Sequence, residues 1–156
     1  MGCMSPSDMF RLMRPRQWAK NLAVFAAIIF SGHLFIRAEM LHVCVAFVVL
    51  SLVSSGLYAL NDALDAERDR QHPIKCDRPV ASGRISVFAA IGIGAVLSVV
   101  GLAIAWLLGV QFFATVMAFF ALHILYSAWF KTIAIVDMLV IAVGFVLRAV
   151  AGAVLI

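Results

Sequence analysis

Residues 85–130 read ISVFAAIGIGAVLSVVGLAIAWLLGVQFFATVMAFFALHILYSAWF. No charged side chain occurs between Arg84 and Lys131. A helix needs roughly 20 apolar residues to cross a hydrocarbon core, so this stretch is long enough for two spans. Gly109 provides the hinge between them. The rest of the chain has the same character. Of its 156 residues 65% are hydrophobic, and the mean hydropathy is +1.08. A soluble domain is only about half apolar, so the bilayer is the solvent this chain expects. The runs are rich in Val, Ile, Ala and Leu without period-2 alternation, which favours helices over barrel strands. The expected fold is an all-α, polytopic transmembrane helical bundle of about five spans. They cover about 18–35, 40–60, 85–108, 111–129 and 133–155, and the second continues as a polar helical extension to Asp69.

The basic residues orient the bundle. With the N-terminus in the cytoplasm, Arg11, Arg14, Arg16, Lys20, Arg68, Arg70, Lys75, Arg78, Arg84 and Lys131 all lie inside, ten of the twelve Lys and Arg. Only Arg37 falls outside, as the positive-inside rule requires. The net charge of +4 therefore belongs to one face, suited to anionic lipid head groups or phosphorylated substrates. Nucleic acid is a poor partner, since no soluble basic domain exists. The N-terminal basic cluster and apolar run lack a small-residue cleavage site, so the first span reads as uncleaved. Pro6 stands where a myristoylation motif wants Ser or Thr. Cys3, Cys44 and Cys76 are odd in number and form no CxxC pair, which argues against a disulfide framework or a zinc site. Gly92 and Gly94 lack the third glycine and preceding strand of a dinucleotide fold.

The chemistry concentrates between Tyr58 and Gly83. Asn61, Asp65 and Asp69 recur every four residues, a step that turns a helix roughly 40° beyond a full circle, so they share one face. Asp62 flanks that face. Stacked carboxylates repel one another unless a cation neutralises them. Hard oxygen donors on an open face suit Mg²⁺, which keeps waters and takes further ligands from phosphates. The segment is no EF-hand, because Arg70 and Cys76 occupy the positions of its glycine and bidentate glutamate. Beyond the carboxylates come Arg68, Arg70, His72, Lys75 and Arg78, on a stretch that Pro73, Pro79 and Ser82-Gly83 force into a loop. These cations also satisfy the positive-inside rule. The carboxylates have no such topological reason, and acidic residues at a membrane boundary are functional by default. Asp137 and Arg148 are further intramembrane charges, about 16 Å apart along one helix by helical rise; a structural partner for Arg148 is expected on a helix missing from this chain, ahead of a substrate contact. His33, His42 and His123 read as packing or interfacial residues.

Asn61-Asp62-x-x-Asp65-x-x-x-Asp69, with Arg70-x-His72-Pro73-x-Lys75-x-x-Arg78-Pro79-x-Ala81-Ser82-Gly83, resembles the first aspartate-rich motif of the UbiA superfamily of intramembrane prenyltransferases. Arg14-Pro15-Arg16-Gln17-Trp18-Ala19-Lys20-Asn21, Tyr126-x-x-x-x-Lys131 and Phe145-Val-Leu-Arg148-Ala-Val-Ala-Gly152 are similar to its decaprenyl-phosphate phosphoribosyltransferase branch. The resemblance implies a nine-span fold with a second aspartate-rich motif. This chain would then be a single UbiA-like domain over 1–156, an N-terminal fragment or one half of a split enzyme, with a cytoplasmic Asp-rich loop at 61–84. It implies Mg²⁺ held by Asn61, Asp62, Asp65 and Asp69. It implies Asp65, Asp69, Lys75 and Arg78 as catalytic residues, and substrate contacts from Lys20, Asn21, Tyr58, Arg68, Arg70, Tyr126 and Lys131.

The implied reaction moves 5-phosphoribosyl from phosphoribosyl pyrophosphate to a polyprenyl phosphate, on the cytoplasmic face of a bacterial plasma membrane, in cell wall biosynthesis. Prenyl transfer to an aromatic or quinone acceptor is the alternative. An inactive fragment, or a chain needing a second chain for the missing helices, is another.

Overall fold

The computed structural model describes residues 5–130 and 134–156. Helices α1 (Pro6–Met13), α2 (Ala26–Phe30), α3 (Arg37–Leu64), α4 (Ala66–Arg70), α5 (Val87–Leu108), α6 (Val110–Leu125) and α7 (Ala134–Ala153) follow in order. Short 3-10 turns occur at His33–Phe35 and Lys75–Asp77, and a π-helical turn at Tyr126–Phe130. No strand occurs among the described residues.

Among the described residues, four helical segments are long and apolar enough to cross a membrane: Arg37–Leu64, Val87–Leu108, Val110–Ala128 and Ile135–Ala153. The protein is an integral membrane protein. The first expected span is not among these segments, because it is not one regular α-helix. Pro15–Phe25 winds as a 3-10 helix and passes into the single turn and a half of α2. Polar residues break its apolar pattern. Asn21 lies fully buried within it, and its Nδ2 donates to Ser51 Oγ at 3.2 Å. The tighter winding still covers distance, since a 3-10 helix rises about 2.0 Å per residue and an α-helix 1.5 Å. Pro15–Phe30 therefore rises roughly 30 Å, about the thickness of a hydrocarbon core.

The central helix is α3, which packs most extensively on α5. Gly56 sets that approach: a Cβ there would meet Ser98 Oγ and the Gly94 carbonyl. Gly152 plays the same part between α7 and the 3-10 segment, where the Val24 carbonyl leaves no room for a side chain. Small residues at such crossings let backbones approach where lipid offers no hydrophobic drive. Gly109 joins α5 to α6 at φ 134°, a conformation L side chains rarely adopt. The main core gathers Val24, Ile28, Val43, Val49, Val53, Phe112, Val116 and Phe119.

A second core lies at the polar end of α3: Leu12, Ala59, Ala63, Ala66, Val80, Ile85 and Ala90. It fastens α1 and the 78–85 segment onto that end. Arg84 adds a staple, donating to Asp8 at 3.0 Å and to Asp77 at 3.1 Å. The hydrogen bond to Asp77 holds the Arg84 pKa above its already high ordinary value, so the staple stays charged. The expected loop is thus a packed cap, and the polar end of α3 has a fixed shape.

Candidate functional site

The helix of α3 ends at Leu64, and Asp65 leaves helical geometry at φ −93°, ψ 1° before α4 begins. The expected continuous helix to Asp69 is therefore broken at Asp65, and the carboxylates part company. Asp62 and Asp69 turn inward, each 2% exposed. Arg78 Nη1 donates to Asp62 Oδ1 at 3.2 Å and to Asp69 Oδ2 at 2.7 Å. Arg14 Nη2 donates to the same Asp62 oxygen at 2.6 Å. Arg14, Asp62, Arg78 and Asp69 form an alternating chain of two cations and two anions. Burial of carboxylates is tolerated when each is paired and hydrogen-bonded.

Arg14 is held by its backbone as well as by Asp62. It is the one non-glycine with positive φ among the described residues, at φ 51°, ψ 60°. It caps α1, and its amide donates to the Phe10 carbonyl. On the following 3-10 segment, Trp18 Nε1 donates to Ser55 Oγ, which donates to the Met13 carbonyl, both at 3.0 Å. The junction of α1 and the 3-10 segment is thereby tied to α3. The Arg14 guanidinium lies 5.2 Å from the centroid of the Tyr58 ring.

Asn61 remains on the other side of α3. Asn61 accepts a hydrogen bond from Ser127 Oγ, and Asp65 is half-buried. Asn61 lines a cleft of about 220 Å³ with Arg14, Tyr58, His123, Tyr126 and Ser127, floored by leucines 57, 60 and 64. The π turn at Tyr126–Phe130 builds the facing wall. π turns concentrate at functional sites because they re-aim side chains out of a regular helix. Tyr126 Oη donates to Asp137 Oδ1 at 2.7 Å, fixing the ring. An outer hollow of about 300 Å³ lies across the cation chain and is lined by Arg11, Arg14, Asp62, Asp77 and Arg78.

The other expected site residues are placed as follows. Asn21 is buried between Ser51 and Arg148, whose Nε donates to Asn21 Oδ1 at 2.8 Å. Arg148 thus takes its polar partner from the 3-10 segment. Lys20, Arg68 and Lys75 are exposed. Arg70 clamps the cap, donating to Glu67 at 2.8 Å and to the Ala81 carbonyl at 3.2 Å. His72 Nδ1 accepts from the amides of Ile74 and Lys75, shaping the turn. Lys131 lies outside the described residues. Ser127, His123 and the electrostatic role of Arg14 escaped sequence reasoning. The signal for Arg14 was present in the Arg-Pro break between two helical segments.

Among the described residues, no three His, Cys, Asp or Glu side chains gather closely enough to hold a metal. The donors still fit Mg²⁺ as a site completed by substrate. Asn61 offers a hard oxygen at the cleft and Asp65 follows it one helical turn on, and Mg²⁺ takes one or two carboxylates plus phosphate oxygens and water more readily than an all-protein cage. Asp62 and Asp69, also expected among its ligands, are each hydrogen-bonded to arginine.

Comparison with known proteins places this geometry. The chain is 38% identical over 152 residues to a decaprenyl-phosphate phosphoribosyltransferase of Mycolicibacterium smegmatis, covering 95% of this chain and 48% of that protein. It is 35% identical over 150 residues to the enzyme of the same name from Corynebacterium glutamicum, covering 94% of this chain and 45% of that protein. The chain thus spans about half the length of these curated relatives. In fold it is similar to a UbiA homolog from Archaeoglobus fulgidus bound to GPP and Mg²⁺, with a TM-score of 0.80, 24% identity, and coverage of 95% of this chain and 53% of that one. The profile of the UbiA prenyltransferase family matches residues 21–156, and the chain belongs to that family.

Proposed function

We propose that this chain carries the pyrophosphate-binding side of a membrane transferase. It moves 5-phosphoribosyl from phosphoribosyl pyrophosphate to a polyprenyl phosphate such as decaprenyl phosphate, with the polar end of α3 facing the cytoplasm of a bacterial plasma membrane. The observation that carries the reading is that Arg14 lines the cleft beside Asn61 and Tyr58 and, through Asp62, is joined to Arg78 in the adjoining outer hollow. The resemblance to phosphoribosyltransferases over nearly the whole chain supports this donor.

Asn61 and Asp65 would hold Mg²⁺, and the bound ion would supply Lewis-acid neutralisation of the leaving pyrophosphate. Arg78 uses one nitrogen for both carboxylates, so its other guanidinium N–H groups remain to donate to phosphate oxygens. Arg14 does the same from the facing side. Asp62 and Asp69 hold both cations in place before substrate arrives, so little reorganisation is needed as charge develops. Arg68, Lys75 and Lys20 are exposed cations that draw in a polyanion, and Lys131 adds a phosphate contact. Tyr58 and Tyr126 line the cleft where the sugar sits. The lipid phosphate is already an anionic nucleophile and needs no strong base.

Transfer of a prenyl group to an aromatic acceptor is the second reading. The apolar floor of Leu57, Leu60 and Leu64 favours it, since an allylic chain packs there and the tyrosine faces stabilise its cation. The two readings part on one experiment. Membranes containing the protein are given Mg²⁺ with labelled phosphoribosyl pyrophosphate and decaprenyl phosphate, or with labelled prenyl pyrophosphate and an aromatic acid. Ribosyl label entering the organic phase, and vanishing in an Asn61→Ala/Asp65→Asn variant, is the expected result. Product only in the prenyl arm replaces the first reading with the second.

A further inference from the structure

Arg148 is 5% exposed and lies inside a membrane-spanning helix. Its partners are neutral: Asn21 Oδ1 at 2.8 Å, the Phe119 ring with centroid at 4.6 Å and the Phe145 ring at 5.5 Å. The ion pairs of the described residues use other cations. A cation buried in a bilayer without an opposite charge is costly and marks a functional site with a missing partner. A second observation identifies where the partner belongs. Ser54 is 4% exposed, and its Oγ has no hydrogen-bond partner. Ser54 and Arg148 line one niche with Leu57, Tyr58, Phe119 and His123. The niche measures about 10 Å³, room for a single water-sized oxygen. Leu57, Tyr58 and His123 are shared with the cleft above it. An orphan hydroxyl and an uncompensated guanidinium thus converge on a space for one oxygen at the inner end of the cleft. From Ser54 to Asn61 the axis of α3 rises roughly 10 Å, so this point is distinct from the pyrophosphate end.

We propose that Arg148 and Ser54 receive one oxygen of a phosphate monoester carried by a substrate, anchoring that group at the inner end of the cleft while pyrophosphate is held at the mouth. The inference rests on the phosphoryl-ester reading of the cleft given above. Two sources carry this chemistry: the 5-phosphate of the sugar donor and the phosphate head of the lipid acceptor. Arg148 binds the group directly, and Asn21 and Ser51 orient its guanidinium.

The test uses the purified protein in lipid nanodiscs, titrated separately with Mg²⁺-pyrophosphate, ribose 5-phosphate and farnesyl phosphate. Wild type, Arg148→Gln and Ser54→Ala are compared. Loss of a charge-assisted hydrogen bond to phosphate weakens binding about tenfold or more, and loss of a neutral one about threefold. The expected result is that Arg148→Gln weakens one monoester by the larger factor and Ser54→Ala the same monoester by the smaller, while Mg²⁺-pyrophosphate binds unchanged within about twofold. The ribose 5-phosphate arm identifies the sugar phosphate as the ligand, and the farnesyl phosphate arm the lipid head. Wild type that binds neither monoester overturns the proposal. So do monoester affinities unchanged in Arg148→Gln, or all three probes lost together in a folded variant. Should Arg148→Gln fail to fold, Arg148→Lys and Ser54→Ala decide, and unchanged monoester binding in both overturns it. Failure of wild type to bind Mg²⁺-pyrophosphate while a monoester still binds through Arg148 removes the function proposed above and leaves this subsite standing.

Discussion

Arg14 Nη2 donates to Asp62 Oδ1 at 2.6 Å, joining residues 48 positions apart in sequence. The contact closes the segment before the first apolar run onto the end of the second, and it gives a motif carboxylate a structural task. Asp62 is not part of the cleft's lining, and it holds together Arg14, which lines the cleft, and Arg78, which lines the outer hollow.

Replacing Asp62 by Asn leaves Arg14 and Arg78 facing a neutral amide in a buried position. Removing one partner of a buried charged network is strongly destabilising, and with both arginines partly solvated the expected loss is about 2 kcal/mol. Unfolding in detergent reads it out. Combined with Arg14→Gln, the double variant should cost less than the two single variants together, because the changes share one interaction. Full additivity would show that the pair is not coupled.

Asp65→Asn keeps the size of the side chain and removes its charge, and it should weaken Mg²⁺-dependent pyrophosphate binding by about tenfold, since one hard charged ligand is lost. Calorimetric titration with and without Mg²⁺ checks this. Equal affinity at limiting Mg²⁺ would remove Asp65 from the ligand set.

Gly152→Ala forces a methyl group into the Val24 carbonyl where α7 crosses the 3-10 segment. Overpacking of this kind costs about 1–3 kcal/mol, and the loss should appear in thermal unfolding. Gly92→Ala, where a Cβ meets open space, is the control and should be neutral or slightly stabilising, as Ala exceeds Gly in helix propensity. Similar melting of the two variants would contradict the close crossing.

Cys76 is exposed on the cap between Lys75 and Asp77. With the cap on the cytoplasmic side, an impermeant maleimide should label Cys76 only after cells are permeabilised. Labelling of intact cells in a variant whose only cysteine is Cys76 would invert the topology.

The sequence alone determined that the chain lives in a bilayer, that it is helical, and which segment bears chemistry. Those conclusions follow from charge spacing and composition over 85–130 and from the four-residue recurrence of Asn61, Asp65 and Asp69, all of them local properties of the chain. Local periodicity also assigned these residues to one face, with Asp62 flanking it. Only the tertiary structure divided them, because the helix ends at Asp65 and because Arg14 and Arg78 arrive from distant segments to claim Asp62 and Asp69. The first apolar run shows the same limit. Its composition suggested an ordinary span, yet Asn21 must reach Ser51 and Arg148, and the backbone winds as a 3-10 helix. An intramembrane arginine was visible in the sequence as a charge in the wrong solvent. That it ends beside an unpartnered serine hydroxyl, at the inner end of a cleft, depends on how three separate helices pack. Buried polar groups are satisfied by whichever partners the packing brings near, and that choice is made in three dimensions.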